Sequence, residues 1–147
     1  MRRAGAADLP AILRIIEAAY SPYVPVIGRR PVPMDDDQAA RLDRGELFVA
    51  EEAGALLGVV TMGPRDGKLH VYNLAIDPAA QGRGLARVMI DYGEAHGRTL
   101  GFPTLTLFTN VEMPRNRALY AHLGFEERYV KMSERGYEIV FFERPIR

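Results

Sequence analysis

The chain has 147 residues, of which 48% are hydrophobic and 26% charged, and this balance is typical of one globular domain with its own core. Nineteen basic residues match nineteen acidic ones, so the zero net charge gives no general attraction to nucleic acid or to a membrane surface. The absence of cysteine excludes disulfides, a thiolate nucleophile and cysteine-bound zinc, and three scattered histidines predict no other metal site. No apolar run is long enough to span a membrane and residues 1–8 lack a signal-peptide core, so we expect one cytoplasmic domain over residues 1–147.

The first elements are a helix and a proline-rich stretch. Asp8 and Pro10 predict a helix start with Asp8 as the N-cap, preceded at most by a short edge strand. Residues 20–34 then contain four prolines among apolar and arginine side chains, which predicts a long irregular connection. Such a connection inside a compact domain is usually functional or disordered, and its apolar content argues against disorder.

The next segment reads as a short helix and three strands. The three consecutive acids of residues 35–37 are better explained by helix capping and the helix dipole than by a metal site. Residues 47–50 and 56–62 predict an antiparallel hairpin that turns at Gly54. A second turn at Asp66 and Gly67 leads into a strand over residues 69–76.

A glycine-containing loop, residues 81–86, connects that strand to a helix. Gly82 and Gly84 allow a ligand to approach the backbone closely, and the helix N-terminus favours an anion such as a pyrophosphate. A tight turn that binds nothing explains the loop equally well. The dinucleotide fingerprint fails because Arg87 stands where a third small residue is required, and the chain contains no Gly-Lys-Ser/Thr of a P-loop.

The remaining elements predict a mixed α/β domain. The helix has an apolar stripe and contains Gly93 and Gly97, which close packing or a weak last turn would explain; the stripe comprises Leu85, Val88, Met89, Tyr92 and His96. A strand over residues 104–109 follows, and a strand, a crossover helix and a second strand imply a parallel pair. Pro114 and Gly124 bound another helix, and residues 125–132 and 137–143 predict a last hairpin.

Three motifs in order resemble the GNAT superfamily of N-acetyltransferases. Gln81, Gly84 and Ala86 match the Q/R-x-x-G-x-G/A pattern of its acetyl-CoA loop. Residues 73–78 look like the superfamily strand before that loop, and residues 116–125 look like its second motif, with an Asn and a Tyr one helical turn apart. The resemblance covers nearly the whole chain. It implies a single α/β (α+β) domain with a mostly antiparallel sheet, flanked by helices, whose central parallel strands splay apart.

The resemblance also implies roles for individual residues. Acetyl-CoA would be the cosubstrate, without a metal, and its predicted contacts are Leu74, Ala75, Ile76, Gln81, Gly82, Arg83, Gly84, Leu85, Ala86, Asn110 and Asn116. Tyr120 matches the general acid that protonates the leaving thiolate, although a Tyr between two leucines is otherwise a core residue. His70 lies where the histone-acetylating branch has its catalytic Glu and is a candidate general base. The alternatives are a structural role for His70 and a water chain that reaches His70, Tyr72 or a backbone carbonyl.

These observations predict an N-acetyltransferase that moves an acetyl group from acetyl-CoA directly to a primary amine. In the superfamily the segment matching residues 20–34 covers the acceptor, so we interpret it as a substrate lid, with a rigid packing loop as the alternative. The predicted acceptor contacts are Tyr23, Arg30, Met34 and Tyr72. Zero net charge and an apolar lid favour a small-molecule amine over a protein or peptide amine. A non-catalytic acyl-CoA-binding regulatory domain, nucleotide or phosphate binding without CoA, and a homodimer remain open.

Overall fold

A seven-stranded sheet runs through the molecule and carries helices on both faces. The computed structural model describes residues 1–147. The strands are β1 (Arg2–Arg3), β2 (Leu47–Glu52), β3 (Ala55–Arg65), β4 (Lys68–Ile76), β5 (Thr104–Asn110), β6 (Glu126–Met132) and β7 (Glu138–Pro145). Their order is β1-β2-β3-β4-β5-β7-β6, and every neighbouring pair is antiparallel except β4 and β5. The predicted mixed sheet with one parallel pair is confirmed.

Six α-helices accompany the sheet. They are α1 (Leu9–Tyr20), α2 (Val24–Ile27), α3 (Val32–Asp35), α4 (Gln38–Asp43), α5 (Leu85–Leu100) and α6 (Pro114–His122). Single 3₁₀ turns lie at Ala6–Asp8, Ser21–Tyr23 and Pro78–Ala80. None of the helices combines the length and the hydropathy that crossing a membrane requires.

Turn chemistry explains the two hairpins that precede β4. Ala53 and Gly54 both have positive φ (52° and 81°), and so do Asp66 and Gly67 (51° and 76°). Two consecutive residues with positive φ match the right-handed twist of the flanking strands, so the chain reverses without splaying them. The hairpin turns predicted at Gly54 and at Asp66–Gly67 are confirmed.

The sheet separates two hydrophobic cores. Helices α5 and α6 contribute to one core, in which Met89, Ile90 and Leu123 are almost fully buried. Helix α1 packs on the other core through Ile12 and Ile15.

Close packing is the reason for the two glycines in α5. A Cβ at Gly93 would lie 2.8 Å from the Met62 sulfur, and one at Gly97 would lie 2.6 Å from Cδ1 of Ile146. Of the two explanations offered by the sequence, close packing is therefore confirmed. Val88, predicted to belong to the apolar stripe, is instead 51% exposed, because the buried face of α5 runs through Met89, Ile90 and the glycines.

Two local predictions were wrong. Apart from residues 28–31, the 20–34 segment is not irregular but consists of the end of α1, a 3₁₀ turn, α2 and most of α3. Each of these short helices has a proline in its first turn, where no N–H is needed. Asp8 does not cap α1, since its carboxylate instead accepts the N–H of Gly5 (2.8 Å) and pairs with Arg2. Asp37 does cap α4 by accepting the N–H of Ala40 at 3.0 Å, as the acid-rich helix start predicted.

The two central parallel strands diverge soon after they meet. Strand β4 pairs with β5 only at Leu69↔Leu105 and His70↔Thr106, whereas β5 stays paired with β7 as far as Asn110↔Ile139. On its other side, β4 pairs with β3 and carries one extra residue there. Met62 of β3 pairs with Val71 and Thr61 pairs with Asn73, so Tyr72 between them has no partner in β3. The predicted splayed pair is therefore confirmed, and from Val71 onward β4 has no strand partner on the β5 side.

Candidate functional site

The loop before α5 presents backbone donors that the protein itself does not use. The N–H groups of residues 82–87 donate no hydrogen bond within the molecule. Gly82 and Gly84 have φ of +81° and +75°, with no atom within 4 Å of an added Cβ. Positive potential at the N-terminus of this 16-residue helix adds to these donors. The loop therefore fits a phosphate or pyrophosphate group, as its sequence predicts.

The two arginine side chains near the loop, Arg83 and Arg87, do not face the site where an anion would bind. The Arg83 guanidinium pairs with the Glu52 carboxylate, and Arg87 donates to the carbonyl of His122 at 3.2 Å. Neither side chain lines a cavity beside the loop, whereas Arg115 of α6 does. Gln81 braces the loop, since its side-chain amide donates to the Ile76 carbonyl at 3.3 Å.

Two cavities lie beside the gap between β4 and β5. We call the first the loop cavity: it has about 350 Å³ and lies between the 81–86 loop, the end of α1 and α6. The second, which we call the lid cavity, has about 280 Å³ and lies between β4, β5, β7 and the residues from Ile27 to Pro33. Tyr20, Leu74, Asn116 and Tyr120 line both cavities, so these residues form the junction between them.

Tyr120 is a buried phenol at this junction. Its ring packs edge-on against Phe125 and Phe142, and its side chain is only 7% exposed. Burial, with a smaller contribution from the nearby Tyr23, raises the pKa of Tyr120 to about 12. The phenol therefore carries its proton throughout the neutral range and can donate it into the junction.

The other junction groups are held by hydrogen bonds. Tyr20 donates its hydroxyl to the Leu74 carbonyl at 3.2 Å, and burial raises the pKa of Tyr20, so this phenol also stays protonated. The Asn116 amide donates to the Thr109 hydroxyl at 3.3 Å. Asn110, at the end of β5, lines the lid cavity rather than the loop cavity and accepts the N–H of Glu112 at 2.8 Å.

His70 lies outside both cavities. Its Nδ1 is 2.7 Å from the Thr106 hydroxyl, and its ring packs between Tyr72 and Phe108 with an exposure of only 1%. Burial, together with Arg65 and Arg41, lowers the pKa of His70 to about 3. A side chain that is this weakly basic and does not reach the cavity lacks the geometry and the basicity of a general base. The structure therefore favours the structural role for His70.

The structure separates the predicted acceptor contacts. Tyr72 lines the lid cavity, under the guanidinium of Arg41 at 3.8 Å from the ring centre. Tyr23 lines the loop cavity instead. Arg30 and Met34 line neither cavity. Arg30 pairs with Asp35 and Glu17, and Met34 packs against the hydrophobic core to which α1 contributes.

Most of the predicted cofactor contacts line one cavity, the loop cavity. The loop cavity is lined by the predicted Leu74, Ile76, Gln81, Gly82, Gly84, Leu85, Ala86 and Asn116, but not by Arg83 or Ala75. Sequence reasoning missed Tyr20, Asn73 and Arg65. Tyr20 was assigned only to the lid, and its partner Leu74 is 54 residues away. Asn73 belongs to a motif quoted for the fold, but nothing in that motif indicates which way its amide faces.

The family comparison agrees with this architecture. The model of the acetyltransferase (GNAT) family matches residues 10–125. The mycothiol acetyltransferase of Rhodococcus erythropolis is 33% identical over 139 residues, which cover 88% of this chain and 46% of that protein. The chain thus spans less than half the length of this curated relative.

Solved structures show the same fold. The N-acetyltransferase of a ribosomal-protein alanine from Escherichia coli superposes with a TM-score of 0.76 at 22% identity, covering 98% of this chain and 91% of that one. A Salmonella typhimurium structure that contains acetyl-CoA superposes with a TM-score of 0.74 at 21% identity, covering 99% and 92% of the two chains. With its splayed sheet and a family match that covers most of the sequence, the chain belongs to the acetyltransferase (GNAT) family.

Proposed function

We propose that the protein transfers an acetyl group from acetyl-CoA to the primary amine of a small molecule. The observation that carries this proposal is the meeting of the two cavities at Tyr20, Leu74, Asn116 and Tyr120. One cavity ends at unused N–H donors suited to a pyrophosphate, and the other is mostly apolar. Two substrates placed in these cavities would have their reacting atoms side by side, which is the main requirement of a direct transfer.

The chain supplies positioning and a proton. Acetyl-CoA, when bound, supplies the acetyl group as a thioester. The N–H groups of residues 82–87 would hold its phosphates, and the unpaired edge of β4 beyond Val71 would orient its arm. In the transfer a C–N bond forms, a C–S bond breaks, the amine loses a proton and the sulfur gains one. Tyr120 holds a proton at the junction and is the group we assign to the sulfur.

The size of the lid cavity supports a small acceptor. Pro31, Val32 and Pro33 line this cavity, and we call them its roof. Arg29 ties this roof to the hairpin between β6 and β7, because its guanidinium donates to the Arg135 carbonyl at 2.6 Å and lies 4.8 Å from the Tyr137 ring centre. The volume of about 280 Å³ is near the lower end of the range for small-molecule sites. The Rhodococcus relative is named for a small molecule, mycothiol, whereas the Escherichia coli neighbour is named for a protein alanine.

A single-turnover assay tests the proposal. Acetyl-CoA is mixed with a slight excess of the protein and with a panel of primary amines, and free CoA thiol and acetylated amine are measured separately. We expect both products in equal amounts with at least one small amine. Thiol release without acetylated amine would indicate hydrolysis. Tight acetyl-CoA binding by calorimetry with no transfer to any amine or peptide would instead identify a regulatory acyl-CoA-binding domain.

A further inference from the structure

The lid cavity contains one cation that the protein leaves without a close carboxylate. Asp36, Arg41 and Arg65 are the charged side chains that line it. Arg41 is neutralised by Asp36 at 3.1 Å and by Glu46 at 3.0 Å. The nearest acid to Arg65 is the highly exposed Asp66, at 4.0 Å. A guanidinium without a close counter-ion in a mostly apolar cavity is suited to binding an anionic ligand group.

Aromatic rings fix the position of this cation. The guanidinium carbon of Arg65 lies 5.5 Å from the ring centre of Phe108 and 5.8 Å from that of Phe141. Arg65 and Phe108 line the lid cavity but not the loop cavity, so the cation lies away from the junction where transfer would occur.

We infer that the acceptor is an amine with an anionic group, such as a carboxylate, at the far end of an apolar body. Arg65 pairs with the anion, and the apolar and aromatic walls of the lid cavity pack against the body. This inference rests on the proposed function, because it assigns the substrate class of the same site.

Two matched acceptors test the inference. The amines 4-(2-aminoethyl)benzoate and 4-(2-aminoethyl)benzamide share the ring and the amine but differ in the charge at the far end. We expect the benzoate to have the higher kcat/KM by about 10- to 100-fold, the range of a charge-assisted hydrogen-bonded pair. A ratio at or below one in the wild-type protein would overturn the inference.

Variants locate the source of the preference. Arg65→Met should bring the ratio close to one by slowing the benzoate only. Lys131→Met is the matched control, because Lys131 lies 5.0 Å from the same Phe141 ring but does not line the cavity, and it should keep the wild-type ratio. An unchanged preference in Arg65→Met, or an equal loss in Lys131→Met, would contradict the role of Arg65. Arg65→Gln provides a second charge-free variant if Arg65→Met does not fold.

A binding measurement distinguishes failure of this inference from failure of the proposed function. Calorimetry with the CoA-loaded protein compares 4-ethylbenzoate with 4-ethylbenzamide, neither of which has an amine to acetylate. Preferential binding of the benzoate that is lost in Arg65→Met would support the anion site even if no acetyl transfer occurred. Transfer to amines without any preference for the anion would support the proposed function and refute the anion site.

Discussion

At the scale of single residues, Tyr120 carries the chemical assignment. Tyr120→Phe keeps the ring that packs on Phe125 and Phe142 but removes the phenolic proton. We expect kcat to fall by about 10²- to 10⁴-fold, the range of general acid catalysis, with little change in the affinity for acetyl-CoA. Single-turnover rates and calorimetry measure the two quantities.

Protein stability is the control for that experiment. The melting temperature of Tyr120→Phe should stay within a few degrees of the wild type, because the ring continues to fill its site. A variant that folds, binds acetyl-CoA and retains a near-wild-type rate of the chemical step would show that Tyr120 is only a core residue.

The environment of His70 predicts how the rate depends on pH. Since the pKa of His70 is about 3, the imidazole stays neutral from pH 5 to 9 and contributes no inflection there. The lid cavity has no histidine among its lining residues, so kcat/KM for the acceptor should rise with pH until the acceptor amine itself is deprotonated. Two amines of different pKa should give two different inflections, and His70→Gln should leave both unchanged. An inflection near neutrality that disappears in His70→Gln would restore the general-base hypothesis.

The same pKa shift affects stability with a definite sign. The unfolded chain binds a proton at His70 below about pH 6.5, whereas the folded protein binds it only below about 3. The unfolded state therefore gains protons as pH falls through this window, and folding stability falls with it. In His70→Gln the melting temperature should decline less between pH 6.5 and 4 than in the wild-type protein.

Sequence could predict some of these residues and not others for a clear reason. Gln81, Gly84, Asn116 and Tyr120 occur at fixed spacings within local motifs, so a resemblance could identify them. The role of Arg65 depends on rings contributed by β5 and β7, which are distant in sequence. The fold determines which side chains a charged residue contacts across a sheet. The spacing of residues within one segment therefore cannot predict these contacts.

At the scale of elements, the N-terminus of α5 is the most informative. Gly84→Asp would place a carboxylate among the free N–H groups of residues 82–87, where an anionic ligand is expected. We expect acetyl-CoA to bind at least about tenfold more weakly, through like-charge repulsion and loss of donors. Calorimetry with the folded variant measures this change.

The opposite end of the same helix provides a matched control. Gly101 also has a positive φ (+82°), and no atom lies within 4 Å of an added Cβ. Gly101→Asp thus introduces the same backbone strain and the same charge away from the loop, and it should leave acetyl-CoA affinity unchanged. Equal losses in both variants would show that strain, and not ligand binding, explains the effect.

Sequence reasoning predicted the elements best where local chemistry decides their form. The early hairpins follow from Gly54 and from the Asp66–Gly67 pair, which accept positive φ, and α4 follows from its capping Asp37. The 20–34 segment was mispredicted as irregular because its prolines were interpreted as helix breakers, although each short helix tolerates one in its first turn. Which face of α5 is buried depends on the sheet beneath it, and this explains the error at Val88.

At the scale of the whole molecule, the roof of the lid cavity joins two distant parts of the chain. Arg29→Ala would remove the hydrogen bond to Arg135 and the contact with the Tyr137 ring. We expect the KM of the acceptor to rise several-fold while the KM of acetyl-CoA stays constant, because the tie borders only the lid cavity. Steady-state kinetics with each substrate varied in turn measures both constants.

Arg30→Ala is the control for the roof. Arg30 is the next residue, but it pairs with Asp35 and Glu17 and lines neither cavity. Its removal should leave both KM values unchanged, which is opposite to the sequence-based expectation that Arg30 binds the acceptor. If Arg30→Ala changes the acceptor KM and Arg29→Ala does not, the roof is held by a different contact from the one proposed.

The junction at Tyr20, Leu74, Asn116 and Tyr120 has a consequence for inhibitor design. The two cavities share these four lining residues, so one covalently continuous molecule that spans the junction could reach both. Joining a CoA-like arm to an acceptor-like ring makes the second binding event intramolecular, and the affinity of the joined compound can exceed that of either half by orders of magnitude. The linker need only be as long as the bond that the enzyme would form, which makes such a compound highly selective for proteins whose two cavities meet in the same way.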